Sequence, residues 1–138
     1  MEKENQTPQA VEPQETGMEW LSDEQLEAIK AKVAELRKSK NIKRIYPIAV
    51  QGDEYDEKEC YIAYFKQPNL MEFSKYLSIS SKNDPTVAMR QLAKDCFVEG
   101  DRELVDDDSL FIYGAMPFLS GILNTRRGSL VNFSKSGK

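Results

Sequence analysis

Two cysteines, 23 acidic side chains, 19 basic ones and no histidine make up the reactive inventory of this 138-residue chain. Without imidazole, Ser-His-Asp and Cys-His nucleophile pairs, histidine acid-base chemistry and any zinc site that needs an imidazole ligand are excluded. Carboxylate and thiolate chemistry survive. Glycoside hydrolysis needs one carboxyl as acid and a second as nucleophile or base, and no such pair stands out, because the acids gather in turns and at helix starts. Cys60 and Cys96 form no C-x-x-C pair and lie among apolar neighbours, which predicts two buried free thiols in a reducing compartment. Cys96 has no imidazole to activate it. The runs Asp53-Glu54-Tyr55-Asp56-Glu57 and Asp106-Asp107-Asp108 lack the alternating ligands, central glycine and terminal glutamate of a calcium loop, so the triple Asp is read as helix capping. There is neither a P-loop nor a G-x-G-x-x-G. No enzyme, cofactor or metal is expected.

The elements that must position these residues carry segregated charge. The net charge of −4 sits in the first 21 residues, where Glu2, Glu4, Glu12, Glu15 and Glu19 face only Lys3. Residues 1–19, rich in Glu, Gln, Pro and Thr, have little to bury and are expected to be a disordered acidic tail. They contain no apolar run of the kind a signal peptide needs, and a cytoplasmic protein is expected. The run Lys30, Lys32, Arg37, Lys38, Lys40, Lys43, Arg44 has no interleaved aromatics, and the remainder of the chain is neutral, so no nucleic-acid partner is expected.

Ser22 with Gln25 three residues on is a capping box, with Leu21 and Leu26 placed as a hydrophobic staple, so a helix should begin at Asp23 with the stripe Leu26, Ile29, Val33, Leu36. Residues 42–50 and 58–66 read as a β-hairpin, the second strand alternating Cys60, Ile62, Tyr64 against Tyr61, Ala63, Phe65. Pro47 argues for an edge strand or a bulge. A second capping box, Asn69 with Glu72, predicts a helix to about Ser80 with Leu70, Phe73, Tyr76 and Leu77 on its apolar side. Asp84-Pro85 predicts a third, with Ala88, Leu92 and Cys96 on one face, Met89 and Phe97 beside them, and Gly100 ending it. A fourth should follow the triple Asp, with Leu110, Phe111, Gly114, Phe118 and Ile122 on one face and a kink near residue 113, or a break, caused by Pro117.

Residues 109–125 are uncharged, but Gly114, Pro117, Ser120 and Gly121 interrupt them, which favours a buried or partner-facing helix over a membrane span. Its apolar residues lie all round the helix, so it is either a central core helix or one that turns one side to the core and the other to a partner. The fold class is α+β: a small antiparallel hairpin sheet with about four helices over residues 20–130, then a flexible end at 131–138.

The strand Tyr61-Ile62-Ala63-Tyr64-Phe65-Lys66-Gln67-Pro68, the Asp84-Pro85 helix leading to Asp95-Cys96-Phe97-Val98-Glu99-Gly100-Asp101, and Asp106-Asp107-Asp108-Ser109-Leu110-Phe111 occur in an order that resembles the tail assembly chaperones of phages and prophages. The resemblance spans about residues 24–130; the acidic tail, Pro117, Arg126, Arg127 and the Ser-rich end depart from it. It implies a non-catalytic protein of the bacterial host cytoplasm that holds the tape-measure or tail-tube protein soluble before assembly. The expected partner-binding surface is Phe111, Tyr113, Phe118 and Ile122. The alternative is a structural component retained in the phage particle.

Overall fold

Ser22 Oγ accepts the Gln25 N–H at 3.0 Å while Gln25 Oε1 accepts the Ser22 N–H at 2.8 Å, so the first helix, α1 (Asp23–Ser39), starts where its sequence signal lies. The computed structural model describes residues 18–133; the acidic tail up to residue 17 and the end from residue 134 lie outside the described residues. Past α1, Asn41 at φ 56° takes the left-handed conformation that asparagine tolerates and turns the chain into the sheet.

The sheet is antiparallel in the order β1-β2-β3, formed by β1 (Ile45–Gln51), β2 (Cys60–Lys66) and β3 (Phe97–Gly100). Its two faces bury different clusters, as period-two alternation requires. Ile45, Ile62, Tyr64 and Val98 pack with Ile29, Val33 and Leu36 of α1 on one face. Ile48, Tyr61, Ala63 and Phe65 pack on the other against Leu92, Cys96, Leu104, Phe111, Leu119 and Ile122 from the C-terminal half. The sheet is thus a middle layer between helices, an α+β fold.

β1 is an edge strand. Gly52 N–H donates to Glu59 O at 2.9 Å, and antiparallel alternation from that pair directs the backbone groups of 46, 48 and 50 toward β2 and those of 45, 47, 49 and 51 outward. Pro47 therefore costs no ladder bond. It removes one outward donor and blunts the open edge.

β3 is a correction, since residues 97–100 were expected to finish a helix. The third helix, α3 (Pro85–Cys96), capped by Asp84 Oδ1 on the Thr86 N–H at 2.7 Å, stops one turn earlier. Four interactions from distant residues hold the next stretch extended. Phe97 meets Phe65 edge to face at 6.0 Å, and Glu99 pairs with Lys32 of α1. Asp101 N–H donates to Ile62 O at 2.8 Å, and Asp101 Oδ2 accepts the Ile62 N–H at 2.9 Å. Gly100 sits at φ +120°, where a Cβ would lie 2.5 Å from Ile62 O. Only glycine fits that approach.

The second helix, α2 (Leu70–Lys82), has its capping box but no fully buried residue. It lies against α3 through half-buried Phe73 and Tyr76 and the ion pair Lys75–Asp95, at 3.0 Å, while Lys66–Glu72, at 2.6 Å, ties its first turn to the end of β2. Leu70 and Leu77, expected on its apolar side, are exposed. A short helix α4 (Glu103–Asp106) and a last helical segment, α5 (108–122), complete the fold. Arg90 ties them down, donating to Val105 O (2.8 Å), Asp106 O (3.0 Å) and Asp108 Oδ1 (2.7 Å), with its guanidinium 5.1 Å from the Phe111 ring centroid. Among the described residues no helix is long and apolar enough to cross a membrane.

Candidate functional site

Pro117 has no N–H, so Tyr113 O loses its i+4 donor. The chain answers with a π-helical turn, Phe111–Ala115, in which Met116 N–H donates to Phe111 O. The irregularity lies at the place where a kink was expected. An i→i+5 turn needs one residue more than an α turn to come round, so every later side chain is rotated back by about one position. The inward face therefore runs Leu110, Phe111, Gly114, Ala115, Leu119, Ile122. Gly114 allows the turn to press on β1, since a Cβ there would lie 2.8 Å from Val50 Cγ1.

This phase divides the four expected partner-binding residues. Phe111 and Ile122 are 0% and 2% exposed and belong to the core, a correction to their expected place at the surface. Tyr113 and Phe118 are 82% and 60% exposed. Phe118 also forms a wall of an apolar groove of about 290 Å³, whose other walls are Met18, Trp20, Leu21, Leu26, Ile29 and the β1 residues Pro47, Ile48 and Ala49. Leu26 and Ile29 also line a neighbouring hollow bounded by Asp23, Glu27 and Lys30. Glu27 and Lys30 are 3.7 Å apart in an exposed pair, so the carboxylate of Asp23, together with exposed Glu24, leaves that end acidic.

The other end of α1 is basic. Arg37, Lys43 and Arg44 line an open hollow with Asn41 and Ile42. Local structure accounts for Arg37 and Lys38, which lie in the last turn of α1, at the negative end of the helix dipole.

Several titratable groups are held in contacts within the fold. Burial pushes the Cys96 thiol up to about 12, well away from a thiolate nucleophile, while Cys60 is half-buried rather than buried and is raised in the same way. Of the triple Asp, Asp107 alone caps, accepting the Leu110 N–H at 3.0 Å; Asp106 pairs with Arg102 at 3.4 Å and Asp108 holds Arg90. A hydrogen bond from Lys32 holds Glu99 below the usual carboxylate range, and the same bond raises Lys32. Burial raises Glu72, but Lys66 and the Asn69 N–H outweigh it and leave the carboxyl lowered. Asp95 Oδ1 accepts from Gln91 at 3.0 Å; the buried Oδ2 faces Lys75 as an ion pair without hydrogen-bond geometry. Among the described residues no three His, Cys, Asp or Glu side chains are grouped to hold a metal ion.

Sequence reasoning missed most of the groove. Met18, Trp20, Pro47 and Ala49 come from segments far from Phe118, and only the single tryptophan, placed just ahead of a capping box, hinted that the approach to α1 is built in. The chain matches no protein-family model, no curated protein and no solved structure.

Proposed function

We propose that this chain is a non-catalytic binding protein that shields an apolar segment of a client, in the manner of a phage tail assembly chaperone acting on the tape-measure or tail-tube protein in the bacterial host cytoplasm. The observation that carries this reading is Phe118. It is a large aromatic left 60% exposed at the wall of an apolar groove, on a chain in which 30% of residues are charged. An exposed aromatic continuous with an apolar groove is the kind of surface a binding partner covers. A groove of side chains suits the apolar anchors of a helical client. Exposed Tyr113 adds a second aromatic on the same helical segment.

The test is co-expression of the full chain with the tape-measure and tail-tube proteins of its own phage, followed by capture on a tag. Native chain should retain a client. Phe118→Ser with Tyr113→Ser should lose it at unchanged circular dichroism, since both residues are exposed. Equal capture by the double variant refutes the site. Recovery of the protein from purified particles, with no client captured, assigns it to the particle as a structural component instead.

A further inference from the structure

We propose that, with no client present, a second copy of this chain covers the groove with its own C-terminal segment, placing Leu130 and Val131 between α1 and β1. The inference goes beyond the client reading and does not require it. Residues 124–132 form neither helix nor strand, and Leu130 and Val131 are 94% and 67% exposed, so the segment does not lie in the groove of its own copy. It is preceded by Arg126 and Arg127, both exposed and without an ion-pair partner among the described residues. The groove has the complementary character: apolar walls at about 290 Å³, sharing Leu26 and Ile29 with a hollow at the end of α1 where Asp23, Glu24 and Glu27 outnumber Lys30. An apolar pair following two cations thus meets an apolar slot beside carboxylates. Complementarity of this kind fixes orientation as well as attraction.

Pro47 selects the mode of contact. With one outward donor of β1 missing, a strand added to that edge would leave its own carbonyl unmatched, whereas side chains inserted over Pro47 and Ala49 need no main-chain pairing. Exchange between two copies is isologous, each supplying one segment and one groove, so the assembly closes at a dimer.

The single tryptophan, Trp20, lines the groove and reports its occupancy. Sedimentation and Trp20 emission of the full chain are followed up to about 100 µM, a range in which association shows as concentration dependence. A dimer is expected, with Trp20 emission shifting to shorter wavelength as it forms. Leu130→Asp with Val131→Asp blocks the segment, and Phe118→Asp blocks the groove. Each should raise the dissociation constant at least about tenfold. All three positions are exposed, so folding is retained and circular dichroism checks it. An equimolar mixture of the two blocked proteins should associate more tightly than either alone, because it restores one intact contact. Arg126→Glu with Arg127→Glu should weaken the dimer and remove its salt dependence. A chain monomeric at the highest concentration overturns the proposal, as does a dimer indifferent to the segment variant. A monomer whose Trp20 emission changes on blocking the segment also overturns it, in favour of docking within one copy.

Discussion

Leu119→Ala and Phe118→Ala, two neighbouring truncations on α5, should differ several-fold in cost. Leu119 is 0% exposed; shortening it removes three buried carbons, worth about 0.8 kcal/mol each, and leaves a cavity whose walls relax only in part, for a loss of about 3 kcal/mol. Phe118 is 60% exposed, so only the smaller part of its side chain can be withdrawn from contact. Its loss should be about 1 kcal/mol, reduced by a few tenths through the better helix propensity of alanine. For a domain of this size about 4 °C accompanies each kcal/mol, giving a fall in Tm of about 12 °C for Leu119→Ala and no more than about 4 °C for Phe118→Ala. Urea unfolding followed by circular dichroism gives the same difference as a shift in midpoint at constant slope. A regular α-helix from residue 108 onward would centre Phe118 on the Phe111 face and move Leu119 to the edge of that face. If Phe118→Ala proved the more damaging, the π turn and the phase shift drawn from it would be refuted.

Gly100→Ala should cost at least about 2 kcal/mol, because a side chain at φ +120° is strained and its Cβ would meet Ile62 O at 2.5 Å; Gly128→Ala, with nothing within 4 Å, is the control. Equal urea midpoints for the two would disprove the close approach of Gly100 to β2. Cys96 makes stability depend on alkaline pH. Its folded-state pKa lies above the unfolded value near 9, so its contribution is complete below pH 9 and is lost as pH rises toward 12, at up to about 1.4 kcal/mol per unit. Cys96→Val should flatten that slope, and an unchanged slope would assign it to another group. In the native chain at neutral pH a thiol reagent should modify half-buried Cys60 well before Cys96, which should react at the rate of opening.

What the sequence disclosed follows from how far apart the interacting atoms lie. Ser22 with Gln25, Asn69 with Glu72 and Asp84 with Thr86 are donor and acceptor pairs within three residues, so the helix starts could be read directly. The alternation in β2 was legible for a similar reason: each face of the sheet demands its own apolar residues, and Tyr61, Ala63 and Phe65 supply one of them. β3 was hidden because its partners are Ala63, Tyr64 and Phe65 of β2 and the bonds of Asp101 just after it go to Ile62, 39 positions away, while its own residues continue a plausible helical face. Arg90 went unnoticed because nothing in its neighbours signals that the carbonyls of 105 and 106 need a donor. The cost of Pro117 was visible, whereas the manner of relief, a π turn pressed against Val50 through Gly114, depends on the packing of β1 beneath it.

That relief also settles how the candidate surface is to be tested. A helix apolar all round invites the idea that one half is core and the other half is interface, separable by cutting the chain after Asp108. The structure divides it differently. Phe111, Ala115, Leu119 and Ile122 complete the cluster that holds Phe65, Leu92 and Leu104, and Gln67 Nε2 ties the end of α5 to the exit of β2 through Ile122 O at 3.1 Å and Thr125 Oγ1 at 2.8 Å. Removing α5 would open the core facing β2, and loss of binding would then report unfolding. The outward share of α5 is chiefly Tyr113 and Phe118, and the groove beside Phe118 is completed by the approach to α1 and by the β1 edge. A surface assembled from three parts of the chain exists only in the folded protein, so point substitutions at exposed positions separate binding from stability where truncation cannot.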